Sequence, residues 1–162
     1  MILLAHMLLG AAIGAKINNI PLAIILAFLG HYFLDILPHV EYSIDNIRNK
    51  KWQKSFKDIL KVFLDFCLAL LVIFIFSKNQ LIIYLCALIS IMPDGLTIIN
   101  SIFPRSKNGS LGGFIATLNK ILAKHDEIHT KKIHFLKYKK ISNFWRISTQ
   151  VLTIIICIIL LR

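Results

Sequence analysis

The chain has 162 residues, of which 57% are hydrophobic and only 17% charged, with a mean hydropathy of +0.72. Soluble domains carry about 45–50% apolar and about 25% charged residues, so an ordinary soluble enzyme is excluded. The composition predicts an all-α, multi-pass integral membrane protein with one membrane domain over 1–162, and the net charge of +11 suits anionic lipid headgroups better than nucleic acid, for which no soluble module or aromatic stacking pattern is present.

Along the chain, residues 2–15 form an uncharged helical segment, shorter than the ~20 residues that a perpendicular span needs. Its start lacks a basic region and a cleavage site, so it is expected to be mature structure. "NNIP" at 18–21 turns the chain into a second helix over about 21–37, and the two make a short hairpin. Pro38 ends that helix, because proline disfavours helical geometry in the residue before it, and a polar loop follows from Glu41 to about Lys54. Further helices are expected at about 55–76 and 80–103, the second interrupted near Pro93, and the last at about 142–161. That makes about five membrane helices. Between them, 110–135 is rich in lysine, with apolar Leu111, Phe114, Ile115, Leu118, Ile121 and Leu122, and reads as an amphipathic helix at the cytoplasmic surface. Cys67, Cys86 and Cys157 lie in apolar runs without close Cys or His partners and are expected to be buried thiols.

Lysine and arginine set an orientation. Five of the 19 lie in 41–57 and ten in 104–146, whereas the opposite turns hold only Lys16 and Lys78, so the N-terminus and the basic loops are expected in the cytoplasm. The polar residues then fall at matching depths. His6 begins helix 1, His31 and Asp35 lie toward the end of helix 2 with His39 just beyond it, Asp65 is about 15 Å into helix 3, and Asp94 falls at a similar level. His6 shares an i, i+4 stripe with Gly10 and Gly14. Ala23, Ala27, His31 and Asp35 form another, Asp65 aligns with Ala69, and Asp94 with Ala87 and Ser90. Small residues at this spacing mark faces where membrane helices pack closely, so these groups should point into the bundle. A buried carboxylate costs about 2.5–3.5 kcal/mol on insertion scales, and a divalent cation would offset several at once. His and Asp suit zinc, with manganese or iron as alternatives.

A second cluster, "KHDEIHTKKIH" at 124–134, puts His125 and His129 four apart on one helical face, with His134 opposite. Asp126 takes the place of the Glu in the H-E-x-x-H motif but is a methylene shorter, and no protease is inferred. Lysines 120, 124, 131 and 132 are candidates for an anionic lipid head.

The segments "AHMLLGAAIG", "HYFLDILPH", "MPDG" and "HDEIH" together resemble small bacterial membrane proteins described as predicted membrane-bound metal-dependent hydrolases, and more distantly the zinc-dependent phospholipase C group. The hydrolase group's His-Arg-x-x-Thr-His-Ser segment has no counterpart. The resemblance implies a helical bundle with a His/Asp metal centre acting on phosphoester or lipid-like substrates, and His6, His31, Asp35, His39, Asp94, His125 and His129 match it.

The residues and the resemblance lead to one expectation: a membrane-embedded, metal-dependent hydrolase with its site at the cytoplasmic interface. First-choice ligands are His6, His31, Asp35 and Asp94, followed by His39, His125 and His129, with Asp65 a ligand or an acceptor that orients a histidine. Asp35, Asp94 and His129 are the expected catalytic residues. A bound cation would acidify water and polarise a phosphoryl oxygen. The rival readings are a metal- or proton-handling membrane protein and a structural one, and a homo-oligomer remains open. Conduction needs polar groups in both halves of the membrane, and the outer half offers almost none.

Overall fold

The structure is a computed structural model and describes residues 3–40, 45–49, 51–102, 120–125, 127–128 and 141–162. Every described element is helical: α1 (Leu3–Lys16), α2 (Ile20–Ile36), α3 (Asp45–Arg48), α4 (Trp52–Phe76), α5 (Leu81–Ser90), α6 (Met92–Ile102) and α7 (Asn143–Leu161), with a further helical stretch at 120–125. Most of the expected surface helix over 110–135, including His129, lies outside the described residues.

Local chemistry accounts for the boundaries. The Asn19 side chain accepts from the Leu22 N–H at 3.0 Å and Pro21 occupies the first turn, so α2 starts with its orphan donors partly satisfied. It stops at an extended Leu37 ahead of Pro38. The apolar run over 80–103 is broken at Ile91, and α5 and α6 bend by 43° there, because Pro93 has no N–H to continue the ladder. The expected loop over 41–54 contains a short helix, α3, held by the Asp58 carboxylate accepting the Asn46 N–H at 3.1 Å.

Helices α4 and α7 are each long and apolar enough to cross a membrane, and the bent pair α5–α6 makes a third if counted as one span. This suits an integral membrane protein. At 1.5 Å per residue, α1 and α2 are about 21 and 26 Å long, short of the ~30 Å hydrocarbon core. The outward faces of α4 and α7 present large apolar side chains such as Phe63, Leu64, Phe74, Trp145, Ile155 and Ile159, as a lipid-facing surface should. Cys67 also lies on the outside of α4, which corrects the expectation that all three cysteines are buried. Its position one residue after Phe66, which packs on the core, turns it away.

The centre of the molecule is α1. It packs against α2, α4, α5 and α7, and nine of its 14 residues are buried: Leu4, Ala5, His6, Met7, Leu8, Gly10, Ala11, Ala12 and Gly14. Small side chains allow this, since a Cβ on Gly10 would stand 2.4 Å from the Cys86 carbonyl oxygen and 2.7 Å from Ser90 Cβ. On Gly14 it would meet the Ile82 carbonyl oxygen at 2.9 Å. Backbone therefore lies on backbone where α1 crosses α5.

Gly10→Ala should accordingly destabilise the bundle by about 1–3 kcal/mol, since neither backbone can yield freely. Gly95, where an added Cβ meets nothing within 4 Å, should accept alanine without loss. Thermal unfolding of both variants in detergent checks the contrast.

Candidate metal centre

Four side chains meet beside that crossing. His6 comes from the first half of α1, His31 and Asp35 from the inner face of α2, and Asp94 from the first turn of α6. The expected stripe on α2 is seen in full, with Ala23, Ala27, His31 and Asp35 all buried, so α2 lays its small residues against the bundle and carries the two polar ones inward. On α5, Ala87 and Ser90 are buried on the same side.

The break between α5 and α6 frees the end of α5 to take partners outside its own helix. Ser90 uses both of its polar groups. Its hydroxyl lies 2.7 Å from the carbonyls of His6 and of Ala87, and its own carbonyl oxygen is 2.7 Å from His31 Nδ1. A carbonyl only accepts, so His31 donates from Nδ1 and turns Nε2 into the cluster.

There, His31 Nε2 faces Asp35 Oδ2 at 3.0 Å and Asp94 Oδ1 at 3.7 Å, while His6 Nε2 faces Asp35 Oδ1 at 3.3 Å. The two imidazole rings stack at 4.2 Å. His6 is wholly buried, and among the described residues its Nδ1 has no hydrogen-bond partner, while its Nε2 faces the Asp35 carboxylate. An imidazole nitrogen this close to a carboxylate oxygen is favourable when a proton or a metal ion stands between them. Ligand atoms bonded to zinc at 2.0–2.1 Å in a tetrahedron are about 3.3–3.4 Å apart, and the three separations bracket that value. One nitrogen each of His6 and His31 and one oxygen of Asp94 lie within 4.8 Å of one another, a spacing that a metal ion could bridge. Asp35 faces Nε2 of both imidazoles, so it stands with them as a candidate ligand and not behind them. Asp94, with 34% of its side chain exposed, marks the open side.

The remaining candidates are placed elsewhere. Asp65 accepts the Leu4 N–H at 3.2 Å and so caps the first turn of α1, where free N–H groups and the helix dipole favour an anion. His39 is buried beyond the end of α2, with Nδ1 2.7 Å from its own loop's Leu37 carbonyl. That loop is tied to α7: Arg146 lies 3.4 Å from the His39 carbonyl, Gln150 accepts from the Val40 N–H at 3.4 Å, and Thr149 donates to the Pro38 carbonyl. His125 Nε2 is 2.9 Å from the Tyr32 hydroxyl, and the Tyr32 ring stands edge-on to His31 at 5.5 Å. The histidine of the surface segment thus reaches the cluster's neighbour. Tyr32 escaped the sequence reading because neighbours one apart on a helix do not share a face; a phenol beside a candidate ligand was the available signal.

If Asp65 serves α1 as an acceptor, Asp65→Ala should lower stability by about 1–3 kcal/mol. Asp65→Asn, which keeps an oxygen for Leu4, should lose less. Denaturation midpoints in detergent separate the two.

Comparison of the chain with family models, with curated proteins and with solved structures gives no match.

Proposed function

We propose that this protein is a membrane-embedded, metal-dependent hydrolase of a phosphoester or lipid-like substrate, with His6, His31, Asp35 and Asp94 around one divalent cation, zinc first and manganese or iron as alternatives. The observation that carries the reading is His6, wholly buried with Nδ1 lacking a hydrogen-bond partner among the described residues and Nε2 against Asp35, stacked on a histidine whose Nε2 faces two carboxylates. A purely structural cluster would leave that Nδ1 unused at a cost of about 1–3 kcal/mol.

When bound, a divalent cation supplies Lewis-acid activation of water and of a phosphoryl oxygen. The chain's own residues divide the remaining work. Ser90 fixes the His31 tautomer through its carbonyl, and Asp35 holds both rings in register. Asp94 stands on the exposed side, where substrate and water arrive and where a carboxylate can take a proton from the attacking water. The burial of His6, His31 and Asp35 keeps bulk water from them and strengthens each charge interaction. His129, four positions beyond His125, remains a catalytic candidate, and the basic loops are assigned to the cytoplasmic side.

Protein purified in detergent should carry about one zinc, manganese or iron per chain, and His6→Ala and Asp94→Ala should each weaken metal binding by at least about tenfold. Chelation should abolish hydrolysis of a phosphodiester, and zinc should restore it. Full metal content in both folded variants, measured by elemental analysis, would contradict the assignment.

A further inference from the structure

At 1.5 Å per residue, α4 is about 37 Å long, some 7 Å more than the ~30 Å hydrocarbon core. Its charged residues all lie between Lys54 and Asp65, and 66–76 carries none, so the excess length projects at the start of the helix. Counting the ~20 residues of a span back from Phe76 puts the edge of the core at Lys57. Lys54, Lys57 and Lys61 follow one another at i, i+3 and i+7, hence on one face, and all three are exposed. The two acids of this half are used elsewhere. Asp58, which stands at i+4 from Lys54, is buried and accepts the Asn46 N–H, and Asp65, at i+4 from Lys61, accepts the Leu4 N–H. No ion pair joins any of the three lysines to a carboxylate among the described residues.

We propose that Lys54, Lys57 and Lys61 bind the phosphodiester headgroup of an anionic phospholipid at the membrane boundary of α4. A freely solvated helix gains from opposite charges at i, i+4, and this one turns its acids inward and leaves a face of one sign. Lys61 decides between water and lipid as the surroundings of that face. It lies about one turn inside the edge of the core, with Leu60, Phe63 and Leu64 exposed around it. An ammonium there is costly without a counter-charge, and its stem can run along the hydrocarbon while the charged end reaches outward. The anion found at that level of a bilayer is the lipid phosphate, whereas a soluble phosphate would have to leave water to reach it. Trp52 and Phe56, exposed at the same end of α4, are aromatic side chains of the kind that settle at headgroup depth. The surface uses none of the residues of the candidate metal centre and needs no metal.

The test is quenching of a single tryptophan by brominated phospholipids, with the full chain reconstituted in vesicles. Trp52→Phe and Trp145→Phe remove the two native tryptophans, and Leu64→Trp places a reporter on the exposed side of α4, close to Lys61. Competition between brominated phosphatidylglycerol and brominated phosphatidylcholine then gives their relative binding constants at that position. Phosphatidylglycerol should be favoured about fivefold or more at low salt, the equivalent of about 1 kcal/mol for one lysine near an anionic surface. The preference should shrink toward unity at about 1 M salt, where the screening length is about 3 Å. Replacing all three lysines by glutamine should abolish it, and replacing them by arginine should keep it. Should the triple glutamine variant fail to fold, Lys57→Gln alone should lower the preference by about twofold or more. Equal binding of the two lipids beside the native lysines, a preference unchanged in a folded glutamine variant, or one lost in a folded arginine variant overturns the proposal.

Discussion

The closeness of α1 to α5 is the constraint from which the rest of the structure follows. Gly10 and Gly14 bring the two backbones together to a degree that no side chain would permit, and this allows the Ser90 hydroxyl to reach the His6 carbonyl at 2.7 Å. The same Ser90 accepts His31 through its own carbonyl. One residue at a helix break therefore sets the separation of two histidines on two other helices. A wider crossing would part the imidazole rings, which now stack at 4.2 Å.

Membrane energetics explain why so exacting an arrangement is built around polar groups. Ser90 lies about 14 Å along α5 from its first residue, and His31 about 17 Å along α2, so the cluster stands near half the depth of a ~30 Å hydrocarbon core if the turns at 17–19 and 77–80 lie at one interface. Carboxylates are expensive there and are kept where they meet a counter-charge. The molecule handles its acids in different ways. Asp65 spends its charge on the N-terminus of α1, whereas Asp35 and Asp94 face imidazole nitrogens.

Much of this was legible in the sequence because membrane helices reveal their packed faces through small residues. Ala23, Ala27, His31 and Asp35 were readable as one stripe, as were His6, Gly10 and Gly14, and both stripes are buried. The boundaries of α2 followed from Asn19, Pro21 and Pro38. Depth alone, however, cannot separate a residue in a site from one that caps a helix. Asp65 matched Asp94 in depth, yet it serves the backbone of α1. His39 was next to the right helix end, but the loop that carries it is tied to α7, a partner more than 100 residues away in sequence. Tyr32 was hidden for the opposite reason, since its bond to His125 depends on a long-range fold that no local period encodes.

The central claim is that two imidazoles and at least one carboxylate share a single cation in the interior of the bundle. X-ray absorption at the metal edge of zinc-loaded protein tests it most directly, because imidazole rings give multiple-scattering features that carboxylate and water oxygens lack. The account predicts two imidazole nitrogens and additional oxygen ligands at about 2.0–2.2 Å, with one imidazole lost in His6→Ala. A spectrum that needs only oxygen ligands, unchanged by that substitution, would contradict it.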